Sequence, residues 1–217
     1  IDHGRIHEPR LFISDRCLKP EREYNLDSLR KLGYKGPTPP LYVSVTPPDI
    51  VGEPEGKRIC ILPGGKSEAK WQNKKWPYYF DLTKLIIDKY PNIEICIIGT
   101  VDNKLPEELL AIHQVTDLRS KLTLAQTAWV LKHSDFVIGN DCGPMHIADA
   151  VGSQGVVIFG PTCDIKNSPA NKIKPLFSDL PCRPCQYEGP IVCPDPKCIR
   201  SIKPEDVMEP LQKALNS

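Results

Sequence analysis

Short apolar runs alternate with amphipathic segments along most of the chain from residue 58 onward. The runs are rich in Ile, Val and Phe, which is typical of strands buried on both faces of a parallel sheet. They predict strands at 58–62, 93–99, 136–140 and 156–160. Helical spacing of apolar residues predicts helices at 77–90, 106–114, 123–134, 144–152 and 204–216. This alternation indicates an α/β fold with a Rossmann-like, doubly wound parallel sheet.

Local signals refine these elements. Pro77 suits the first turn of its helix, and Thr123 with Gln126 has the spacing of a capping box. Pro210 is expected to kink or interrupt the last helix. Upstream, a helix over 21–34 ending at Gly33 is followed by a proline-rich linker.

Composition narrows the class of protein. The 217 residues are 40% apolar, enough for a sizeable core, and 28 basic side chains against 27 acidic ones leave no field that favours nucleic acid. No apolar run approaches the roughly 20 residues of a membrane span, and the polar N-terminus does not resemble a signal peptide. The first residue is Ile1, so we expect a piece of a longer protein. Among nine cysteines, Cys60 and Cys96 lie in predicted strands and indicate a reducing compartment.

Ligands bind beyond the carboxyl ends of parallel strands, and three loops leave such ends. The first contains Gly64 and Gly65, which permit a ligand to approach the backbone closely. Trp71 and Trp76 lie among its lysines. Its cations are Lys66, Lys70, Lys74 and Lys75. This composition suits a phosphate, although the spacing of a P-loop is absent. A solvated lysine-rich loop is the alternative.

The second loop is "NDCGPMH", residues 140–146. Gly143 and Pro144 are expected to start a helix, so that free backbone N–H groups from about Cys142 to Met145 lie at its positive end, where they suit a phosphate. Asp141 would repel phosphate and is better suited to accept hydrogen bonds from sugar hydroxyls. His146 could donate to a phosphate oxygen. The alternative is a plain N-cap at Asp141 and a buried structural histidine.

The third loop is "FGPT", in which Gly160 and Thr162 flank a proline. Alone it is a common turn. Together the three loops place phosphate donors, a hydroxyl acceptor and aromatic surface on one edge of the predicted sheet, as a nucleotide-sugar site requires.

The ordered motifs resemble the C-terminal, donor-binding domain of glycosyltransferase family 9, the ADP-heptose:lipopolysaccharide heptosyltransferases. They are, in order, "LPGG…KKWP", "SDFVIGNDCGPMHIADAVG", "VVIFGPT" and the cysteine-bearing tail "CRPCQYEGPIVCPDPKCIRSIKPEDV". The stretch "EREYNLDSLRKLGY" resembles the end of the family's N-terminal domain. The resemblance therefore extends over nearly the whole chain.

The resemblance implies half of a GT-B fold. Residues 1–40 would be the remnant of the N-terminal domain and the linker, and 41–217 the donor-binding domain. It implies inverting transfer of a heptose-like sugar from a nucleotide-diphosphate donor to a lipopolysaccharide-type acceptor, without a catalytic cofactor. It also implies a cytoplasmic enzyme with peripheral contact to the inner membrane.

Residue roles carried over by position follow the same resemblance. Lys74 and the N–H groups of Cys142 and Gly143 would bind the diphosphate, with His146 in support. Asp141 would hold the sugar, and Asp102 or Asn103 the ribose. Cys142 stands where the family usually has Ser or Thr. The general base belongs to the N-terminal domain, so this chain alone is expected to bind donor without transferring sugar.

Four cysteines crowd a Pro- and Gly-rich loop at 181–199: Cys182, Cys185, Cys193 and Cys198. Their spacing predicts a tetrathiolate site for structural zinc or iron. The alternatives are free thiols or two disulfides. For the whole chain, the competing functions are a sugar-nucleotide epimerase of similar fold and a non-catalytic nucleotide-binding or interaction module.

Overall fold

Six parallel strands form one twisted sheet in the order β3-β2-β1-β4-β5-β6. The structure, a computed structural model, describes residues 17–65, 68–185 and 193–216, except for the side chains of residues 69 and 70. The strands are β1 (Arg58–Leu62), β2 (Glu94–Ile97), β3 (Val115–Asp117), β4 (Phe136–Asn140), β5 (Gly155–Phe159) and β6 (Ile173–Phe177). Strand order reverses between β1 and β4, which pair side by side. The predicted Rossmann-like, doubly wound sheet is therefore confirmed.

Eight α-helices flank the sheet in the described part of the chain. They are α1 (Glu21–Lys31), α2 (Tyr79–Lys89), α3 (Glu107–Leu110), α4 (Leu124–Lys132), α5 (Gly143–Ala150), α6 (Asp164–Asn167), α7 (Lys197–Arg200) and α8 (Pro204–Leu215). The predicted capping box is confirmed at α4, where the Thr123 side chain accepts from the Gln126 N–H. A 3-10 helix at Ala69–Lys74 precedes α2.

Alternation along each central strand builds a core on both faces of the sheet. In β1, Ile59 and Ile61 pack with α2 and α8. Cys60 and Leu62 point to the opposite face and pack with α4 and α5. Strands covered on both sides bury every residue, which is why they read as continuous apolar runs.

Two outer strands and one proline differ from expectation. Strand β6 contains Pro175, which lacks the N–H that a central strand must donate, and it lies at the edge of the sheet. Strand β3 is only three residues long and forms the other edge. Pro210 does not end α8, which runs unbroken past it. Burial of Val207, Met208 and Leu211 on the sheet side offsets the lost backbone hydrogen bond.

The segment before the sheet agrees with its prediction. Helix α1 is followed by Gly33, whose φ of 97° ends it in the left-handed region. Residues 32–57, which include the proline-rich stretch predicted as a linker, contain neither helix nor strand. A salt bridge of 2.8 Å between Glu21 and Lys166 ties α1 to α6.

None of the helices in the described ranges combines the length and the apolar composition needed to cross a bilayer.

Candidate functional site

A cavity of about 280 Å³ lies at the carboxyl ends of β1, β2 and β4, where the strand order reverses. Open parallel sheets bind their ligands at such a point. Eight of the predicted donor-binding residues line it: Gly64, Gly65, Lys74, Asn103, Asp141, Cys142, Gly143 and Pro144. The structure thus brings together residues from three separate loops. A second cavity, of about 390 Å³, lies at the amino ends of β4 and β5, on the opposite edge of the sheet.

Helix α5 begins in this cavity and points its positive end at it. Cys142 occupies the N-cap with extended backbone, and Pro144 lies in the first turn. The predicted set of N–H groups is smaller than expected. Pro144 has none, and the N–H of Met145 already donates to the Cys142 carbonyl at 3.1 Å. No acceptor in the described ranges faces the N–H groups of Cys142 and Gly143, so these two remain for an anion.

Asp141 and Lys74 form a nearly buried ion pair at the mouth of α5. The Lys74 Nζ lies 3.5 Å from Asp141 Oδ2, and their side chains are 13% and 8% exposed. The Asn167 side chain donates to the same oxygen at 3.0 Å. Asp141 is therefore held by two partners rather than capping the helix. Lys74 also lies over the Trp71 ring, 5.3 Å from its centroid.

The side chain of Asn140 hydrogen-bonds to both ends of the loop that contains Lys74. Its side-chain amide donates to the Pro63 carbonyl at 2.7 Å, and its Oδ1 accepts the Trp76 backbone N–H at 3.0 Å. These bonds connect the end of β4 to both ends of the glycine- and lysine-bearing loop. Sequence reasoning missed Asn140 and Asn167. The signal for Asn140 was a polar residue ending an otherwise apolar strand.

Asn103 lines the cavity from the loop after β2. It is buried, its amide donates to Thr100 Oγ1 at 2.9 Å, and it would lie 3.1 Å from any Cβ added at Gly64. Within the described ranges its Oδ1 has no hydrogen-bond partner. A buried carbonyl oxygen without a partner is costly, so this atom is suited to accept from a ligand. Asp102, the other candidate of this pair, is exposed and does not line the cavity.

An ion pair that the sequence did not reveal supports the Asn103 loop. Asp117, the last residue of β3, binds Arg119 through Nε at 2.8 Å and Nη2 at 2.9 Å. Arg119 Nη1 donates to the Asn103 carbonyl at 2.7 Å. Hydrogen bonding to Arg119 lowers the pKa of the Asp117 carboxyl, so the pair stays ionised at neutral pH.

This geometry coincides with a family match. Residues 51–192 match glycosyltransferase family 9 (heptosyltransferase), a range that includes every strand and the whole cavity. The chain belongs to glycosyltransferase family 9. The family inferred from the order of the motifs is therefore confirmed.

Individual relatives match this chain in sequence or in fold over about half to two thirds of their own length. Lipooligosaccharide heptosyltransferase 2 of Campylobacter jejuni is 32% identical over 168 residues, covering 73% of this chain and 52% of that protein. A family 9 protein of Veillonella parvula matches 95% of this chain and 63% of its own, at 17% identity and a TM-score of 0.69. Iron-containing TibC from enterotoxigenic E. coli was solved in complex with ADP-D-beta-D-heptose. It matches 85% of this chain and 51% of its own, at 19% identity and a TM-score of 0.63. The chain thus spans about half the length of the curated relatives that it matches.

Four further residues of the predicted donor site do not line the cavity. His146 is exposed on α5 and does not line the cavity, and it is not the buried histidine of the alternative interpretation. Met145 is buried beneath the helix, where its sulfur would lie 2.6 Å from a Cβ at Gly139. Gly160 and Thr162 are buried against the loop at 181–199 that carries the four clustered cysteines, which we call the cysteine-rich segment. Neither residue lines the cavity. Lys66 and the side chain of Lys70, both expected near the phosphate, lie outside the described residues.

The four clustered cysteines differ in exposure. Cys182 and Cys193 are exposed, Cys185 is partly buried and Cys198 is buried, all as free thiols. Burial raises the pKa of Cys185, and Cys182 and Cys193 raise it further. Burial likewise raises the pKa of Cys198 to about 11. No three His, Cys, Asp or Glu side chains in the described ranges are arranged to hold a metal ion. The stretch 186–192 of this loop lies outside those ranges.

The thiol of Cys142, in the cavity, is also perturbed. Burial raises its pKa to about 12, and the negative charge of Asp141 adds to the shift. It is therefore a neutral group at physiological pH, and it does not set a negative charge against a bound phosphate.

Proposed function

We propose that this chain is the donor-binding half of an inverting glycosyltransferase that transfers a heptose-type sugar from a nucleoside diphosphate. The observation that carries the proposal is the pairing, in one cavity at the strand-order reversal, of Lys74 with the N–H groups of Cys142 and Gly143, which have no acceptor among the described residues. Two backbone donors, a helix dipole and a cation converge there. They can stabilise the diphosphate as it leaves the anomeric carbon.

The remaining polar groups divide the donor between them. Asp141 accepts hydrogen bonds from sugar hydroxyls beside the diphosphate, while Lys74 balances its charge. Asn103 lies at the β2 side of the cavity, and its carbonyl oxygen, which has no partner among the described residues, accepts from the nucleoside. Support for ADP-heptose as the donor comes from TibC, which was solved with that molecule, and from the heptosyltransferases of Campylobacter.

The acceptor half of the reaction lies with another part of the protein. We assign residues 1–40 to the end of an N-terminal domain and its linker, and residues 41–217 to the donor domain. The general base and the acceptor site then belong to the N-terminal domain, as the family resemblance implies. An acceptor of lipopolysaccharide type is a membrane lipid, so transfer would take place at the cytoplasmic face of the inner membrane.

Isothermal titration with ADP-heptose, ADP, and UDP- and GDP-sugars tests this function. We expect saturable binding of ADP-heptose and ADP, and no transfer of sugar to acceptor by this chain alone. Failure to bind any nucleotide would favour a non-catalytic interaction module instead. Conversion of the sugar nucleotide to its epimer would favour an epimerase, and full turnover of transfer would contradict the assignment of the general base.

The cysteine-rich segment is proposed to hold a structural zinc or iron ion through Cys182, Cys185, Cys193 and Cys198. A tetrathiolate donor set suits either metal, and four protein ligands leave no open position for catalysis. The fold neighbour TibC is iron-containing. Because the described thiols are not arranged as a finished site, binding requires a rearrangement of the segment. Elemental analysis of anaerobically purified protein should find one metal per chain, and a Cys182→Ser, Cys185→Ser variant should have none. Metal-free wild type would reject the site.

A further inference from the structure

The cysteine-rich segment is anchored to the end of β5 by a fully buried arginine. Arg183 stands between Cys182 and Cys185 and is 1% exposed. Its guanidinium donates to the carbonyls of Gly160 at 2.6 Å and Thr162 at 3.2 Å. It also lies 3.5 Å from the buried carboxylate of Asp164, the first residue of α6. A buried guanidinium is stable only when its donors are satisfied in this way, so these bonds hold the backbone around Arg183 against the β5–α6 loop.

A second attachment reaches the other arm of the site. The Asn73 side chain donates to the Cys193 carbonyl at 3.0 Å. Gly160 lies between the two segments: a Cβ there would be 3.1 Å from Ile199 and 3.3 Å from the Asn73 carbonyl. The absence of a side chain at Gly160 therefore allows the strand end, the 3-10 helix and the cysteine-rich segment to meet. This is the structural role of Gly160.

Both attachments connect, through neighbouring residues, to the same oxygen of the site, Asp141 Oδ2. Asn73 is the immediate neighbour of Lys74, whose Nζ lies 3.5 Å from Asp141 Oδ2. Asp164 begins the short helix that ends at Asn167, whose amide donates to the same Oδ2 at 3.0 Å. The cysteine-rich segment thus bonds, on each side, to the element that supplies one of the two partners of Asp141.

We propose that Arg183 and Asn73 are positioning residues that couple the cysteine-rich segment to the Lys74–Asp141 pair. The proposal rests on the proposed function for its ligand, a nucleoside diphosphate sugar. Neither residue touches the cavity, so they act only by fixing where Lys74 and Asp141 stand. Small displacements of groups that orient a substrate have large effects on binding and rate, and both partners of Asp141 would move together.

The test uses Asn73→Ala and Arg183→Lys, each with a matched control. Gln72→Ala removes an exposed amide from the same 3-10 helix, and Arg58→Lys alters another buried arginine, one paired with Glu94 at the amino end of β1. Titration should show Asn73→Ala weakening ADP-heptose about three- to tenfold and plain ADP clearly less. Arg183→Lys should do the same, while the controls leave the ratio of the two affinities unchanged. Loss of stability alone lowers the folded fraction and does not change that ratio.

A ligand-free readout separates this proposal from the proposed function. In ¹⁵N NMR spectra, the Asp141 backbone and Asn167 side-chain amide signals should shift in Asn73→Ala and Arg183→Lys, and not in Gln72→Ala or Arg58→Lys. If wild type binds no nucleotide, the proposed function fails and the NMR result alone decides the coupling. Unshifted signals, or an affinity ratio equal to wild type in Asn73→Ala, would overturn it. Should Arg183→Lys fail to fold, Asn73→Ala still decides.

Discussion

Replacing Asp141 by Asn should change the affinities for sugar nucleotide and for plain nucleotide in different directions. The substitution keeps the shape of the side chain and an oxygen that can still accept from Asn167. It removes the negative charge beside the proposed phosphate site, and with it the charge that pairs with Lys74. If Asp141 serves the sugar, the sugar nucleotide must lose affinity. If the negative charge of Asp141 opposes phosphate binding, the affinity for ADP must not fall.

The magnitude follows from the geometry of the pair. Two unit charges 3.5 Å apart attract by roughly 5 kcal/mol at an effective dielectric constant near 20, and desolvation of both groups offsets much of that energy. Freed from Asp141, Lys74 is fully available to the diphosphate, so ADP should bind equally well or up to about tenfold tighter. A hydrogen bond from a hydroxyl to a carboxylate is worth about 1.5–3 kcal/mol. ADP-heptose should therefore bind about 10- to 150-fold more weakly relative to ADP.

Isothermal titration of both ligands on wild type and Asp141→Asn gives the two ratios directly. Asp149→Asn is the matched control, because Asp149 is a fully buried carboxylate on α5 that accepts from the Ala170 and Asn171 N–H groups, away from the cavity. It should lower the melting temperature and leave the ratio of affinities unchanged. Equal losses for ADP and ADP-heptose in Asp141→Asn would refute the assignment of Asp141 to the sugar.

Four further outcomes are expected. Gly155→Ala would place a Cβ 2.1 Å from the Val137 carbonyl and should lower the free energy of unfolding by about 3 kcal/mol in urea titrations, whereas Gly52→Ala, which meets no atom within 4 Å, should change it little. Cys142→Ser should leave ADP affinity within about threefold, since the backbone N–H is the donor. Because the pKa of Cys142 is raised to about 12, ionisation of this thiol should not change the affinity of the wild type for ADP between pH 6 and pH 9. Asn103→Leu should weaken ADP about 2- to 12-fold by calorimetry, because it removes an unpaired acceptor; unchanged affinity would exclude Asn103 from the site.

The sequence predicted the central strands well because two-sided burial leaves a continuous apolar signature. Strand β4 was predicted at its observed bounds, and β1 likewise. The edges carry no such signature. Lys174 and Pro175 interrupt the apolar pattern of β6, and only pairing with β5 makes it a strand. Tertiary pairing, rather than local propensity, decides such segments.

The residues that line the cavity could be predicted only as far as motifs indicated them. Residues whose role depends on their own backbone position, such as Gly64 and Gly143, could be placed by loop order alone. Residues whose role depends on a distant partner could not. Asn140 bonds to Pro63 across 77 positions, and Asn167 bonds to Asp141 across 26. Neither partner is implied by spacing, so both residues were missed.

In the proposed site, the negative charge of Asp141 would lie beside the phosphate, and Lys74 neutralises that charge. Without ligand, each group neutralises the other in a place too buried for water to screen either charge alone. A diphosphate entering beside the α5 N-terminus can take the lysine as a partner, while sugar hydroxyls replace it on the carboxylate. A nucleoside diphosphate without sugar satisfies only the first of these exchanges and leaves Asp141 with Asn167 alone. Under the proposed function, the ion pair would therefore favour the complete donor over its nucleotide product, which is the discrimination that a transferase needs to release the nucleotide after transfer.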